Sequence, residues 1–318
     1  MPGCREKRPN RPGISTFSRQ VYRGIPADRV PAPEATPVHA AFTPIVSNRR
    51  VRRIRLVIVA GLVVATALVG IRLVLTRQAA LARKRIGKPL GADSLDADRV
   101  WRSALDGEPI DLLILGDSIA AGLGAEKRKE TLGGRLAKGT ARRMRRPVRL
   151  HTAAVVGSES PDLPAQLDTL PEGYRPDVAV IVVGGNDVTH RLPPSLSAQH
   201  LHETIRRLRE AGTQVVVGTC PDLGALRPVP QPLRRLASSM SRRLADIQAE
   251  TARHSGAEAV DLRRAVGPMF FDEPEAMFSL DRFHPSPLGY RRTAEALLPA
   301  VCRAAEEAVS SPRRSEPS

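Results

Sequence analysis

Three residues in this chain have the types and settings needed for nucleophilic chemistry: Ser118, Asp281 and His284. Ser118 closes a Gly116-Asp117-Ser118 step that follows the apolar run Ile110–Leu115 and leads into Ile119-Ala120-Ala121-Gly122. A serine on a tight turn directly after a buried strand is held at the top of a sheet, where a nucleophile must be. Read alone, such a serine is more often a helix N-cap. No G-K-[S/T] follows, so the turn is not a Walker-type phosphate loop. Asp281 and His284 lie three apart in Ser279–Pro287, which Pro285 and Pro287 keep out of helix. A carboxylate beside an imidazole can hold its tautomer, orient it and stabilise the imidazolium formed on proton transfer.

Two further strand ends carry turn residues. Gly157 follows Val148–Val156, and Gly184-Gly185-Asn186-Asp187 follows Val178–Val183. Glycine and asparagine there make a sharp turn by default, while Asn186 can also aim its amide N–H₂ into a pocket. Asp117 and Asp187 read as braces that accept hydrogen bonds from nearby backbone amides. His190 reads as a loop surface residue, and His151, His200, His202 and His254 have no partner pattern.

The elements that must position these groups alternate along the chain. Strands are expected at 110–115, 148–156, 178–183, 214–218 and 257–262, and helices at about 126–146, 162–170, 198–211, 231–254 and 287–309. In the third of these helices Leu201, Ile205 and Leu208 mark one apolar face. This alternation predicts a three-layer, flavodoxin-like α/β domain with a five-stranded parallel sheet. Ligands of such sheets bind at the carboxyl ends of the strands, where the residues above fall.

Four blocks in this order resemble the SGNH hydrolases, also called GDSL-type esterases and lipases. They are G-D-S at 116–118, Gly157, G-x-N-D at 184–187 and D-x-x-H at 281–284. The resemblance covers about 110–309, and Ile119-Ala120 departs from the residues many members carry after the serine. It implies that Ser118 attacks an ester carbonyl, that His284 takes its proton and returns it to the leaving alcohol, and that Asp281 orients His284. It also implies an oxyanion hole made by the backbone N–H groups of Ser118 and Gly157 and the side chain of Asn186. Such chemistry needs no metal and no cofactor. The expected substrates are short or medium acyl esters of lipid or carbohydrate. An O-acyltransferase acting on an envelope polysaccharide or lipid and a non-catalytic binding module are the competing readings.

The charge is unevenly placed. Of the formal net charge of +16, residues 1–90 hold +15, from 18 Lys/Arg against Glu6, Asp28 and Glu34. The remaining 228 residues carry +1, and an aromatic content of 3% leaves few platforms for stacking bases, so no nucleic-acid partner is expected. Residues 1–53, rich in proline and arginine, read as a disordered tail. Residues 54–75, with sixteen uncharged residues from Leu56 to Ile71, read as a transmembrane helix. A basic juxtamembrane linker over 76–107, the hydrolase domain over 108–309 and a disordered end over 310–318 complete the expected layout.

The dense arginine cluster before the helix favours that end staying in the cytoplasm, which puts the hydrolase domain outside it. Ala80-Leu81-Ala82 would suit a signal-peptidase site, making the domain secreted, and translation starting near Val51 would strengthen that reading. Cys220 and Cys302 could pair in an oxidising compartment, although their spacing does not show proximity.

Overall fold

Runs rich in valine, isoleucine and leucine become strands when both of their faces can be covered. In the computed structural model, which describes residues 48–86 and 94–310, these runs form β2 (Ile110–Gly116), β3 (Val148–Thr152), β4 (Val178–Val182), β5 (Gln214–Gly218) and β6 (Glu258–Val260). A further strand, β1 (Val100–Trp101), joins the edge, so the sheet is mixed and has six strands in the order β1-β3-β2-β4-β5-β6. Neighbours among β2 to β6 are parallel, and β1 runs antiparallel to β3. The five-stranded, all-parallel expectation is corrected here. Two residues are too few to show any hydrophobic period, yet they blunt an edge that would otherwise stay open.

Eleven α-helices lie among the described residues: α1 (Asn48–Arg85), α2 (Ser118–Ala121), α3 (Leu132–Met144), α4 (Leu163–Asp168), α5 (Gly185–His190), α6 (Pro194–Glu210), α7 (Leu233–His254), α8 (Leu262–Ala265), α9 (Gly267–Asp272), α10 (Pro274–Met277) and α11 (Pro287–Ser310). Alternate strand residues face opposite layers. Ile110, Leu112 and Ile114 pack with Leu132 and Leu136 of α3 and with Leu297 and Val301 of α11. Leu113 and Leu115 pack with Leu163 of α4, Leu201 and Ile205 of α6 and Ala252 of α7. A run that reads as near-continuously apolar in sequence, broken by Asp111, is thus shared between two cores.

Several boundaries move for local reasons. Helix α3 starts at Leu132 because Thr131 caps it, its Oγ1 accepting from Gly134 N at 3.0 Å. The regular ladder of β3 stops at Thr152, whose N–H and hydroxyl both turn to Asp98. The chain nevertheless stays beside β2 as far as Val155, whose N–H reaches Gly116 O at 3.1 Å.

Helix α1 outruns the expected 54–75 at both ends, taking in 48–53 and 76–85. Those flanks are mostly arginine, alanine, lysine and leucine, all good helix formers, and the helix ends just before Gly87 and Pro89 in the sequence. The stretch 76–107 therefore holds a helix end and a strand as well as linking residues. The expectations for 1–47 and 311–318 lie outside the described residues. The chain divides inside α1, after Val59, and the strand-and-helix domain lies wholly in the second unit, from Ala60 onward.

Candidate active site

Strand β2 delivers the serine through Gly116, whose φ of +133° suits only glycine. A Cβ there would lie 1.8 Å from Val182 O, so β4 can approach only if the side chain is absent. Asp117, and not Ser118, caps α2: its Oδ1 accepts from Ile119 N at 2.9 Å. The bland reading of the serine as the cap is thereby excluded, and the Ser118 hydroxyl is left to another partner. That partner is His284, whose Nε2 lies 3.0 Å from Ser118 Oγ. The imidazole Nδ1 is 2.6 Å from Asp281 Oδ2. Ser118, His284 and Asp281, separated by up to 166 positions, thus form one hydrogen-bonded chain.

Asp281 is buried and well furnished with donors. Its Oδ1 accepts from Ser279 Oγ (2.7 Å), Phe283 N (2.9 Å) and His284 N (2.9 Å). Burial pushes its pKa up, but the hydrogen bonds from His284, Ser279 and the two backbone amides together outweigh it and hold the carboxyl at about 2. It therefore stays ionised beside the imidazole throughout the working range.

Asp117 behaves oppositely. Complete burial, with a smaller push from the Asp187 carboxylate, lifts it from 3.8 to about 6 against the hydrogen bonds of Ile119 and Gly185 N–H. A raised folded-state pKa means that its stabilising contribution is complete below about 3.8 and is lost as pH rises through 6. The wild-type melting temperature should therefore fall, relative to that of Asp117→Asn, by roughly 5 °C between pH 4 and pH 7. Parallel melting curves for the two proteins across that window would contradict this burden on Asp117.

Asn186 lies in the first turn of α5, behind Gly184 at φ +134°. Its Nδ2 donates to Ser158 O at 2.9 Å, leaving the second amide hydrogen for a ligand. Asp187 anchors that turn by accepting from Ser197 Oγ at 2.6 Å and from Ser160 N. Ser118, Asn186 and His284 all line one pocket. Much of its lining is apolar and includes Leu223, Leu226, Phe270, Phe278 and Phe283.

Gly157 is not among the residues lining that pocket. It is exposed, at φ +89°, and lines an adjoining shallow groove with Val155, Val156 and Ser158. The link between Gly157 and the pocket is its neighbour Ser158, held by Asn186. His190 is exposed and pairs with Glu159 across 2.5 Å, a partner that sequence reading did not find. Cys220 and Cys302 are both free thiols, and burial pushes each thiol's pKa up.

Sequence reasoning missed two buried glutamines that stitch the strand ends together. Gln166 of α4 accepts from Gly116 N at 2.9 Å and donates to Gly116 O at 2.8 Å, with a further contact to Ser158 Oγ. Gln248 of α7 likewise accepts from Cys220 N and donates to Val183 O. A glutamine on the apolar face of a helix, as at 166 between Leu163 and Leu167, is the signal that could have flagged them.

A family model described as the GDSL-like lipase/acylhydrolase family matches residues 114–292, which include the serine turn and the Asp281–His284 loop. The chain belongs to that family. As a GDSL-family protein it is a hydrolase acting on ester bonds. It is 39% identical over 264 residues to "GDSL-like esterase Rv1075c" of Mycobacterium tuberculosis (strain ATCC 25618 / H37Rv), across 80% of this chain and 83% of that protein. Two solved structures are similar to this chain in fold. The lipase Lip_vut3 from a goat rumen metagenome has a TM-score of 0.51 at 19% identity, covering 61% of this chain and 99% of its own. LAE5, an α/β hydrolase enzyme from the metagenome of Lake Arreo, Spain, has a TM-score of 0.50 at 22% identity, covering 61% and 95%.

Proposed function

We propose that the protein is a serine carboxylic-ester hydrolase working through an acyl-enzyme, with Ser118 as nucleophile, His284 as general base and acid, and Asp281 as the orienting carboxylate. The observation that carries this reading is the unbroken chain from Ser118 Oγ through His284 to Asp281, opening into an apolar pocket. In the first step His284 Nε2 takes the hydroxyl proton as Oγ attacks the ester carbon. The imidazolium then protonates the leaving alcohol, and water repeats the sequence on the acyl-enzyme. The free hydrogen of the Asn186 amide and the backbone N–H groups of Ser118 and Gly157 are the proposed oxyanion donors. Gly157, which is outside the pocket lining, would have to bring its N–H toward the carbonyl oxygen as substrate binds.

Within this reading the five parallel strands form a flavodoxin-like core over 108–309. The apolar wall of the pocket favours acyl esters of short or medium length, from lipid or carbohydrate. Helix α1 is the proposed membrane anchor, because its apolar side chains from Ile54 to Val74 are exposed around the whole helix. The arginines before it would keep that end cytoplasmic and the catalytic domain on the far side.

A series of p-nitrophenyl esters from acetate to octanoate, combined with fluorophosphonate labelling, tests the reading. Turnover and labelling should disappear together once Ser118 is modified. Asn186→Ala should lower kcat by about 10²–10³-fold with little change in KM, as expected of a donor that acts where charge develops. A raised KM at unchanged kcat would make Asn186 a substrate-binding residue instead.

A further inference from the structure

The last turns of α1 lie against the catalytic domain, and they do so at the two loops that make the pocket. Leu75, Gln78, Ala79, Ala82 and Ile86 are at least partly buried, while Arg77, Leu81 and Arg83 are exposed. Those spacings of three and four place the covered residues on one helix face. Ala82 is 6% exposed and belongs to an apolar cluster with Leu223, Leu226 and Val229, against which Phe278 and Phe283 pack. Leu223, Leu226, Phe278 and Phe283 are also pocket wall.

Polar contacts fasten the helix end to each loop separately. The Gln78 amide donates to Gln231 O and accepts from Leu233 N at 3.0 Å, where the loop after β5 enters α7. On the other side, Arg282 Nη2 donates to Arg85 O at 2.8 Å, satisfying a carbonyl that the helix end leaves without an internal partner. Arg282 lies between Asp281 and His284 and has a left-handed φ of +58°, which a residue with a Cβ adopts at some cost.

We propose that residues 78–85 form a strap that holds the loop carrying Asp281 and His284 against the loop forming the apolar wall, with Gln78 and Arg282 as positioning residues. The apolar helix is then part of the enzyme as well as its tether, because the helix proposed to enter the bilayer also sets the shape of the pocket. This rests on the esterase reading of the site. It also requires the chain to stay intact beyond Ala82, since cleavage there would remove Gln78.

The test uses the full chain in phospholipid nanodiscs, with p-nitrophenyl acetate and octanoate as probes. The two loops do different work, so their releases should have different signatures. Gln78→Ala loosens the apolar wall and should raise KM for octanoate about tenfold, the size expected of one lost brace, with kcat on acetate within about twofold of wild type. Arg282→Asn keeps a residue that tolerates the left-handed backbone but gives up the tether. It should lower kcat about tenfold on both esters at unchanged KM, and shift the acidic limb of the kcat/KM pH profile. Ala82→Glu should combine both signatures, and the exposed control Arg77→Ala, outside the strap, should match wild type.

Wild-type chain-length and pH profiles in all three variants would overturn the strap, as would membrane-extracted protein whose N-terminus falls after Ala82. Losses that merely track a lowered melting temperature, equal on both esters and in both parameters, would overturn it too. Ser118→Ala, run alongside, separates the two readings. An inactive Ser118→Ala with unaltered strap variants leaves the esterase reading standing and removes the strap, whereas an active Ser118→Ala removes both.

Discussion

Ser118→Ala will lower kcat for ester hydrolysis by about 10⁵–10⁶-fold and leave the melting temperature essentially unchanged. The two halves of this expectation have separate causes. Activity disappears because the hydroxyl lost is the group 3.0 Å from His284 Nε2, and no other serine forms a hydrogen bond with that imidazole among the described residues. The fold survives because the cap of α2 is supplied by Asp117, so removing the serine hydroxyl costs no helix its first turn. A small residual rate over water is expected from the remaining oxyanion donors. Intact-mass detection of a fluorophosphonate adduct on wild type and its absence on the variant gives the same answer without a substrate. Near-wild-type turnover by Ser118→Ala would place the nucleophile elsewhere.

Asp281→Asn is the more instructive change, with an expected loss of about 10⁴-fold in kcat. The asparagine oxygen can still accept from Ser279 Oγ, Phe283 N and His284 N, so the loop keeps its shape. Its amide nitrogen, however, then faces His284 Nδ1 and offers a hydrogen where the carboxylate offered a lone pair. The imidazole must turn Nδ1 into an acceptor and carry its proton on Nε2, where it can no longer receive the one from Ser118. The same variant has a stability signature. A carboxyl held at about 2 in the folded protein stabilises it above the ordinary value of 3.8, and that stabilisation is lost as pH falls through 2. Asp281→Asn should therefore flatten acid unfolding in that window. An unchanged kcat together with an unchanged acid limb would remove Asp281 from both roles.

The candidate site residues were legible where a distinctive residue type sits at a strand end or on a proline-bounded loop. Ser118, Asn186, Asp281 and His284 stand out for this reason, and the structure brings all four to one place. What a side chain bonds to beyond its own turn was not legible. Gln166 looked like any polar residue of a short amphipathic helix, and only the fold shows that it faces Gly116, 50 positions earlier. Glu159 and His190 are both ordinary surface residues until β3 and β4 bring their loops together. The parallel strands were visible as apolar runs, whereas Val100–Trp101 was too short for any period to show. The reach of α1 to Arg85 was hidden for a different reason: charged residues suggested the end of an apolar span, although they are excellent residues for continuing a helix.

Gln166 also bears on how this scaffold could be re-engineered. Its carboxamide presents an acceptor to the N–H and a donor to the C=O of one residue, much as a neighbouring strand would, so the end of β2 is completed by a side chain from α4. Glutamate could accept from Gly116 N but could not donate to Gly116 O when ionised, and leucine would leave Gly116 N unpaired in a dry interior and Gly116 O with Val155 N–H alone. Any exchange of the segment between β3 and β4 with a homologue's, made to alter the groove around Gly157, would therefore have to carry a carboxamide to the same place. Without it, the graft would displace Ser118 although it never touched the serine's own turn.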